Sequence, residues 1–486
     1  MAAATVDLHC SWFGFRIYFG GVHLMKHIHL IGIGGTGLSA IALILLQKGF
    51  VISGSDRESS PLFNVITEAG AQTYLGHAPE HIMDADLVIR SSAVPDDNPE
   101  VVAALSKGIP VLKRKDFLPE LTKGKETLAV AGSHGKTTTT AMLIWILHCL
   151  GKDPSFISGG VINQLGCNAQ AGSGPHFVIE ADEYDHMFLG LTPKIAIITN
   201  VEHDHTDCFP TPADYLSAFK AFIQQVEPDG KALMCIDDPE TRSLMTELAG
   251  NKPELLGYGT TPDVQFLAKN IAYIDGNPQF ELSYLKELDW AENLGTVRLR
   301  VPGHHNVLNA TGALGAVHQL GLPVNEAIQA IGDFTGAGRR FEILGKANDV
   351  TIIDDYGHHP SEIAATLEAA HTRYPGQRVW AVWQPHTYSR TQNLAEGFIQ
   401  ALELADRVLV LQVYAAREKD PGYSSEKIVR ALKTNKALYA PSFEFATDYL
   451  CNHLTSGDVV IVFSAGDATK LSRVLLKVLD QREIGS

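Results

Sequence analysis

The chain has 486 residues, of which 45% are hydrophobic, 19% charged and 8% aromatic, and its mean hydropathy is close to zero. This composition is typical of a globular protein with several apolar cores, and at ~150 residues per domain the length predicts three domains. The formal net charge of −16 argues against nonspecific binding to nucleic acid or anionic membranes, and no apolar run approaches the ~18 residues of a membrane span.

Residues 1–24 differ in character from the rest of the chain. They are rich in aromatic residues but have neither a basic start nor a small-residue cleavage site, so they do not resemble a secretion signal. We expect a poorly ordered N-terminal extension, with Met25 as the start of the functional chain. The six cysteines form no C-x-x-C pair, which indicates thiols in a reducing cytoplasm and not a disulfide framework.

A first α/β segment begins at Met25. The pattern predicts a strand over His27–Ile33, a helix over Leu38–Gln47 and a second strand over Phe50–Ser53. Between the first strand and the helix, Gly32-Ile-Gly34-Gly-Thr-Gly37 fits a G-x-G-x-x-G phosphate loop, and Asp56 is placed to reach a ribose. Such a loop does not distinguish NAD from a nucleoside-diphosphate sugar, so an NAD-dependent oxidoreductase stays open.

Two more strands are predicted at Leu87–Arg90 and Pro110–Leu112. The lysine-rich segment Lys113–Lys125, which also contains a proline, is interpreted as a linker. A second strand–helix alternation comes after it, so we expect a new domain there.

A second phosphate loop lies in that alternation. Gly132-Ser-His-Gly-Lys-Thr137 stands between the predicted strand Thr127–Val130 and the predicted helix Thr139–Leu147. Backbone N–H groups of such a loop cradle phosphate oxygens, Lys136 adds a cation and the Thr137 hydroxyl can ligate Mg²⁺. The match is imperfect, because the general motif has a glycine where this chain has valine.

Acidic clusters Glu180–Asp185 and Val201–Asp207 each come directly after a predicted strand. Because the carboxyl ends of parallel strands meet at one edge of a sheet, we expect both clusters near the second phosphate loop. There Glu180 and His205 would complete the Mg²⁺ coordination begun by Thr137. Helix caps or solvated charges are the alternative. Zinc is disfavoured, because carboxylates and phosphates prefer a hard cation.

Residues 260–300 alternate apolar and polar side chains, which predicts antiparallel strands. A third α/β segment begins after the glycine-rich turn Gly336–Arg340. Its predicted strands are Val350–Ile353, Val379–Val382, Arg407–Leu411 and Asp458–Phe463.

Polar residues in and beside these elements suit a nucleotide site. Asn306 and Asn309 offer amides to a base edge, although helix capping is the alternative for Asn306. Arg340, next to a glycine-rich turn, is placed to reach a γ-phosphate when domains close. Asp354–Pro360 and Gln384–Arg390 each come after a strand and add carboxylates, imidazoles and a cation at one sheet edge.

Together these motifs resemble the Mur ligases of peptidoglycan synthesis, from Met25 to the C-terminus and in the family's order. The short loop is similar to the family's G-T-x-G-K-T, which accounts for Val130, and Ser133 replaces the family's threonine. Other segments similar to family motifs are Arg339–Glu342, Asp354–Pro360, Gln384–Thr391 and Tyr414–Glu418.

The resemblance implies an α/β fold of three domains. It implies a Rossmann-like UDP-sugar-binding domain over 25–122, a central P-loop ATPase-like α/β domain over 123–336 and a Rossmann-like C-terminal ligase domain over 337–486. It further implies ATP and Mg²⁺ as cofactors and a cytoplasmic monomer or homodimer. It replaces NAD by a UDP-sugar at the first loop.

The resemblance also implies roles for individual residues. The implied UDP-sugar contacts are Gly34, Gly35, Thr36, Gly37, Asp56 and Ser92. The implied ATP contacts are Gly132, Ser133, His134, Gly135, Lys136, Thr137 and Thr138, then His305, Asn306 and Asn309 near adenine, Arg340 on the γ-phosphate, and Asp355 with His358 from the third domain. The metal ligands would be Thr137, Glu180 and His205. The amino-acid substrate would contact His386, Tyr388 and Arg390, with Arg390 paired to its carboxylate.

The implied reaction joins L-alanine to the lactyl carboxylate of UDP-N-acetylmuramate through an acyl phosphate. Lys136 and Arg340 would stabilise the transferred phosphoryl group, and His205 or His358 is a candidate base for the amine. Tyr184 is reminiscent of the family member that recycles the murein tripeptide L-Ala-γ-D-Glu-meso-diaminopimelate, whereas Gln384–Arg390 favours free L-alanine.

Some relatives bridge their metals with a carbamylated lysine. Lys220 is the nearest lysine here, but it lies one residue out of register and is not assigned. A non-enzymatic nucleotide-binding regulator is a further alternative, against which the intact Lys136, Glu180, His205 and Arg340 argue. An oxidoreductase would leave the second phosphate loop unexplained.

Overall fold

The computed structural model describes residues 11–12, 15–16, 26–82, 84–287, 290–432 and 437–481. The predicted extension over 1–24 lies outside the described residues except for a short antiparallel pair, β1 (Ser11–Trp12) and β2 (Phe15–Arg16). Within the described ranges, none of the helices combines the length and the apolarity needed to cross a membrane. The chain divides into two compact units, Met1–Lys123 with Ala169–Ala171, and Gly124–Asn168 with Gly172–Ser486.

The first unit is built on a parallel five-stranded sheet with the order β5-β4-β3-β6-β7. The chain runs outward from β3 first on one side and then on the other, which creates a crevice at the carboxyl ends of β3 and β6. Its elements are β3 (His27–Ile31), α1 (Thr36–Gln47), β4 (Val51–Asp56), α2 (Pro61–Glu68), β5 (Gln72–Leu75), a 3₁₀ helix (Pro79–Ile82), β6 (Leu87–Arg90), α3 (Pro99–Ser106), β7 (Val111–Lys113) and α4 (Arg114–Leu121).

The linker predicted over Lys113–Lys125 is wrong for most of its length, because α4 occupies Arg114–Leu121. Phe117, Leu118 and Leu121 are buried on the inner face of this helix. Charged residues dominate the segment, so its short apolar face is not recognisable as a helix pattern in the sequence. Burial of the three side chains outweighs the poor helix propensity of the segment.

The second unit begins with a sheet that, from β9 onward, has the order β9-β11-β8-β12-β13-β14-β15-β16-β17. Pairing is parallel from β9 to β15 and antiparallel from β15 to β17, so the antiparallel strands predicted in 260–300 are confirmed. Its elements are β8 (Glu126–Ala131), α5 (Lys136–Cys149), β9 (Ser155–Ile162), β10 (Cys167–Gln170), β11 (His176–Glu180), a 3₁₀ helix (Tyr184–Gly190), β12 (Ile195–Ile198), α6 (Pro212–Gln224), β13 (Lys231–Cys235), α7 (Pro239–Leu248), β14 (Glu254–Gly259), β15 (Phe266–Ile274), β16 (Asn277–Glu287), β17 (Trp290–Arg298), α8 (His304–Gln319) and α9 (Val324–Ile331).

Helix α8 packs closely on the central sheet because its inner face carries small residues. A Cβ atom added at Gly312 would lie 3.0 Å from the Tyr258 ring, and one at Gly315 would lie 2.7 Å from Leu233. Larger side chains at these positions would push the helix away from the sheet. The close packing brings the first turn of α8 to the phosphate loop that precedes α5.

The remaining residues of the second unit form a six-stranded sheet with the order β18-β19-β23-β20-β21-β22, in which only the β18–β19 pair is antiparallel among the described strands. β19, β20 and β23 are buried along their whole length, as expected for parallel strands covered by helices on both faces. The elements are β18 (Glu342–Ala347), β19 (Val350–Asp355), α10 (Pro360–Arg373), β20 (Val379–Trp383), α11 (Tyr388–Asn393), α12 (Ala395–Leu402), β21 (Arg407–Val410), α13 (Glu426–Ala431), β22 (Ala437–Tyr439), α14 (Phe443–His453), β23 (Val459–Phe463) and α15 (Thr469–Gln481).

The predicted fold class is confirmed, because each of the three larger sheets is mainly parallel and covered by helices. The domain limits at residues 122 and 336 stay predictions. Each predicted strand recurs within a few residues of its expected ends, and the first helix of the central part begins at Lys136, three residues before its predicted start at Thr139.

Candidate active site

The phosphate loop is a tight turn between β8 and α5. Gly132 and Gly135 have positive φ angles of 140° and 79°, which glycine adopts without strain. A Cβ atom at Gly135 would also lie 2.6 Å from Asn309 Oδ1, so the position has no room for a side chain. Because α5 begins at Lys136, its first backbone N–H groups face this turn, as an anion site requires.

Residues after β12 hold the loop in place. The Asn200 side chain accepts a hydrogen bond from the His134 N–H at 2.8 Å and donates one to the His134 carbonyl at 3.1 Å. The Ser133 hydroxyl donates to the Glu202 carbonyl at 2.7 Å and accepts from the Glu202 N–H at 2.8 Å. The serine therefore fastens the loop to the neighbouring strand end.

Lys136 is paired with a buried carboxylate. Its Nζ lies 3.0 Å from Glu183, which is 1% exposed and also accepts a hydrogen bond from the Tyr215 hydroxyl at 3.1 Å. Burial alone would lower the pKa of Lys136, but the charges of Glu183, Glu180 and Asp182 together outweigh it and raise the pKa, so the ammonium stays charged. The sequence marked the acidic cluster that contains Glu183 but not its pairing with Lys136.

The first two predicted metal ligands are in contact. The Thr137 hydroxyl donates to Glu180 Oε1 at 3.1 Å, and the Gly159 N–H donates to Glu180 Oε2 at 2.7 Å. The third predicted ligand, His205, instead has its Nε2 3.6 Å from Glu183. Burial raises the pKa of Glu180 despite the opposing charge of Lys136, so an added cation would stabilise its ionised form. A hydroxyl beside carboxylates fits Mg²⁺.

A cavity of about 230 Å³ lies beside this loop, between the central sheet and the C-terminal sheet. Asn306 and Asn309 are both 5% exposed, and the Asn309 side chain donates to Asn306 Oδ1 at 3.0 Å. Helix capping, the alternative for Asn306, is not observed, because the residue before α8 is Gly303 and the Asn306 side chain donates to the Pro302 carbonyl. Predicted ATP contacts in the cavity lining are His134, Gly135, Thr138, His305, Asn306, Asn309, Arg340 and Asp355.

The linker before β18 turns Arg340 toward the cavity. Its guanidinium donates to Glu362 Oε1 at 3.3 Å and lies 5.1 Å from the centre of the Tyr356 ring. The neighbouring Arg339 instead donates to the Ser464 carbonyl of the C-terminal sheet. Asp355 accepts hydrogen bonds from the N–H of the linker residue Phe341 at 2.8 Å and from the Gly357 N–H at 2.7 Å, and burial raises its pKa to about 6. Asp355 thus fixes the backbone on which Arg340 stands.

A second polar group brings together part of the predicted amino-acid side. Arg390 donates to Asp204 at 2.7 Å and lies 3.5 Å from His386 Nδ1, and the His386 ring lies 6.0 Å from the ring of His358. Burial opposes ionisation of Asp204, but Arg390 holds its pKa well below the usual range. Burial lowers the pKa of His358 to about 3 and that of His386 to about 4, so both rings are neutral.

The predicted residue Tyr388 and the unassigned Lys220 have other partners. The Tyr388 N–H donates to Glu418 at 2.6 Å, and its hydroxyl interacts with Asp420. Lys220 is partly exposed and pairs with Glu247 of α7, which makes it a surface ion pair. The contacts with Asp420 and Glu247 direct the side chains of Tyr388 and Lys220 to partners outside the Arg390 group.

In the first unit, the predicted UDP-sugar contacts lie at the crevice. Asp56 Oδ2 accepts a hydrogen bond from the Gly34 N–H at 2.9 Å, and Ser92 is exposed in the turn after β6. The guanidinium of Arg114 lies so close to Gly37 that a Cβ atom there would overlap it. Arg114 adds a cation to this glycine loop, and its only signal in the sequence is the basic run after β7.

A fully buried carboxylate lies in the same unit and was not expected from the sequence. Glu100 accepts a hydrogen bond from the Ser55 hydroxyl at 2.5 Å and lies 3.2 Å from His77 Nδ1 and 2.7 Å from His81 Nδ1. Burial alone would raise its pKa, but hydrogen bonds, including those from His29 and Ser55, lower it to about 2. The group stabilises the ends of β4 and β5 by a charged hydrogen-bond network.

His134, Glu202 and His359 form a further group, with possible ligand atoms within 4.8 Å of one another. The spacing would suit a metal ion. However, hydrogen bonds to Glu202 and Glu362 overcome the effect of burial and raise the pKa of His134 to about 9. Because both ring nitrogens of His134 already pair with carboxylates, those of Glu202 and Glu362, we interpret the group as an ion-pair network.

Comparisons with known proteins place the chain beside one family. Models of the Mur ligase family catalytic domain, the Mur ligase middle domain and the Mur ligase glutamate ligase domain match residues 27–126, 130–317 and 339–466. The UDP-N-acetylmuramate–L-alanine ligase of Alkaliphilus metalliredigens is 41% identical over 458 residues, which cover 93% of this chain and 98% of that protein.

Solved structures are similar over almost the whole chain. The UDP-N-acetylmuramate–alanine ligase of Thermotoga maritima matches with a TM-score of 0.79 at 28% identity, covering 94% of this chain and 100% of that one. The murein peptide ligase of Psychrobacter arcticus matches with a TM-score of 0.68 at 27% identity, covering 95% and 100%.

Proposed function

The chain belongs to the Mur ligase family, as its motifs predicted, and we propose that it is the ATP-dependent ligase that joins L-alanine to UDP-N-acetylmuramate. The ligation makes a peptidoglycan precursor. The observation that carries the proposal is the shared cavity, which the phosphate loop, Asn306, Asn309 and Arg340 line together. An ATP held there would meet groups from both sheets of the second unit.

In the first step that we propose, the lactyl carboxylate attacks the γ-phosphorus of ATP. The bond between that phosphorus and the bridging oxygen breaks, which yields an acyl phosphate and ADP. Because two anions approach each other, fixed positive charge is needed where the phosphoryl group is transferred. Lys136 and Arg340 are the protein cations proposed for this task, Lys136 at the start of α5 beside Glu183 and Arg340 in the cavity lining.

In the second step, the neutral amine of L-alanine attacks the acyl carbon. The tetrahedral intermediate expels phosphate, which takes up the proton lost by the nitrogen, and an amide is left. Arg390 would receive the carboxylate of L-alanine by exchanging its contact with Asp204. His358, with a pKa of about 3, is a weak proton acceptor near neutral pH. We therefore assign His358 an orienting role beside Glu362, which lies 3.3 Å away.

Mg²⁺ fits the oxygen donors of Thr137 and Glu180, whereas His205, the third predicted ligand, lies beside Glu183. The bound cation would neutralise charge on the phosphate oxygens. The protein holds Glu180 ready for it through the Gly159 N–H and the Thr137 hydroxyl.

The acceptor amine is tested by phosphate release with ATP and UDP-N-acetylmuramate. We expect turnover with L-alanine and only background release with L-Ala-γ-D-Glu-meso-diaminopimelate. Turnover with the tripeptide alone would identify the recycling ligase instead. Failure with both amines, together with reduction of NAD, would overturn the ligase assignment.

Glu180→Gln tests the cation site. The change keeps the shape but removes the negative charge, so we expect kcat to fall ~100-fold, on the scale of the several kcal/mol that a catalytic cation supplies. The Mg²⁺ concentration for half-maximal rate should rise at the same time. Glu247→Gln is the matched control, because it makes the same chemical change in α7, at the surface ion pair with Lys220. An unchanged Mg²⁺ dependence in Glu180→Gln would contradict the assignment.

A further inference from the structure

One side chain of the phosphate loop reaches both sheets of the second unit. His134 Nε2 lies 2.8 Å from Glu202 Oε2, in the segment after β12 of the central sheet. His134 Nδ1 lies 3.3 Å from Glu362 Oε1, in the first turn of α10 on the C-terminal sheet. We name these three residues, His134, Glu202 and Glu362, the carboxylate clamp. The clamp ties the loop to the element that carries the other half of the cavity.

Neighbouring contacts support the clamp. The Ser361 hydroxyl donates to Glu202 across the same gap, with 2.7 Å to each carboxylate oxygen. His134 is 18% exposed and Glu362 only 10%, so water screens their interaction weakly. Since both ring nitrogens of His134 face carboxylates, both act as donors, and the ring carries a positive charge.

Glu362 also contacts the linker arginine. Its Oε1 atom, which meets His134, is the atom that accepts from Arg340 at 3.3 Å. Its Oε2 atom accepts from the N–H groups of His358 and His359 at 3.0 and 3.2 Å, which fix the carboxylate at the start of α10. One immobile oxygen is therefore shared between two cations, and each cation weakens the hold of Glu362 on the other.

We propose that His134 is a positioning residue for phosphoryl transfer, which shares Glu362 with Arg340 and so sets where Arg340 stands over the phosphate loop. The inference deepens the proposed function and rests on it. Without His134, Glu362 would bind Arg340 more strongly and hold the guanidinium back from a bound phosphate. Without Glu362, Arg340 would lose its anchor and the loop would lose its tie to α10.

A double-mutant cycle tests the sharing. His134→Gln and Glu362→Gln should each lower kcat by about tenfold, the scale of a small misplacement of a catalytic group, while KM for UDP-N-acetylmuramate stays unchanged. Because both changes remove the same interaction, the contact between His134 and Glu362, the double variant should be no slower than the slower single variant. His371→Gln, on the same helix α10, is the control and should retain parental kcat.

The pH profile provides a readout that a merely structural contact would not change. The described charged or titratable groups that face His134 are Glu202, Glu362 and His359, and burial lowers the pKa of His359. His134, with a raised pKa of about 9, is charged below that pH, so parental kcat should fall as pH rises through about 9. In Glu362→Gln this fall should move to lower pH, and in His134→Gln it should vanish. Glu362→Asp should restore part of the rate.

Three results would overturn the inference. Single losses that multiply to about 100-fold in the double variant would mean independent roles. Parental kcat in His134→Gln would mean no role, and a lowered unfolding temperature with unchanged kcat would mean a structural role only. A parent chain without ligase turnover would instead defeat the proposed function, so the two failures are distinguishable.

Discussion

Lys136→Ala is expected to reduce ligase turnover by at least ~10³-fold, the scale set by removing a preorganised charge from the transferred group. The ammonium is held by the Gly132 carbonyl, by the Ser133 carbonyl at 3.2 Å and by Glu183 at 3.0 Å. It is therefore fixed at the phosphate loop before any ligand arrives. Steady-state phosphate release with saturating L-alanine is the measurement.

The controls for Lys136→Ala separate chemistry from stability. Lys220→Ala removes a lysine from the surface pair with Glu247 and should change turnover and stability little, because exposed pairs contribute ~0–1 kcal/mol. Lys136→Ala leaves the buried Glu183 without its cation, which lowers stability. Adding Glu183→Gln should recover the unfolding temperature but not the turnover. Turnover within about tenfold of the parent in Lys136→Ala would show that the loop has another role.

The phosphate loop and the sheet edges were predictable because their signals are local. The spacing of the glycines and of Lys-Thr identifies the phosphate loop. Polar residues directly after a predicted strand identify the sheet edge at which parallel strands end. For the same reason Glu180, His205 and Asp355 were found in strand-end positions. The family resemblance then added Ser92, which no local pattern indicates, and assigned Gln384–Arg390 to the amino acid.

Pairings between distant residues were not predictable. Arg390 and Asp204 are 186 positions apart, and Glu362 meets His134 only because two sheets pack together. Periodicity carries no information about which carboxylate of a cluster turns inward, so Glu183 was not separated from Glu180. Such contacts depend on tertiary packing, which local secondary-structure propensity does not predict.

Strand β9, Ser155–Ile162, was missed for a different reason. It contains Gly159 and Gly160, which weaken the strand pattern in the sequence. The structure gives those glycines a use, because a Cβ atom at Gly159 would lie 2.5 Å from a Glu180 oxygen. The candidate cation site therefore needs glycine at this position of the strand. The same glycine weakens the strand pattern in the sequence, which is why β9 was missed.

Arg340→Lys is expected to lower kcat by about 10³-fold, the lower end of what an arginine on a transferred phosphoryl group contributes. Lysine keeps the positive charge but not the planar fork, which here contacts Glu362 and lies over the Tyr356 ring, and Arg340 lines the cavity. The loss should appear in kcat more than in KM for ATP, because the guanidinium acts on charge that develops during transfer.

Two other arginines make this prediction specific. Arg339→Lys alters the adjacent residue, which is bound to the Ser464 carbonyl, so it should lower the unfolding temperature but retain most of the turnover. Arg430→Lys changes a surface pair with Glu426 and should do neither. If Arg340→Lys and Arg339→Lys reduced kcat equally, the conformation of the whole linker would determine kcat. Arg340 would then have no separate role at the γ-phosphate.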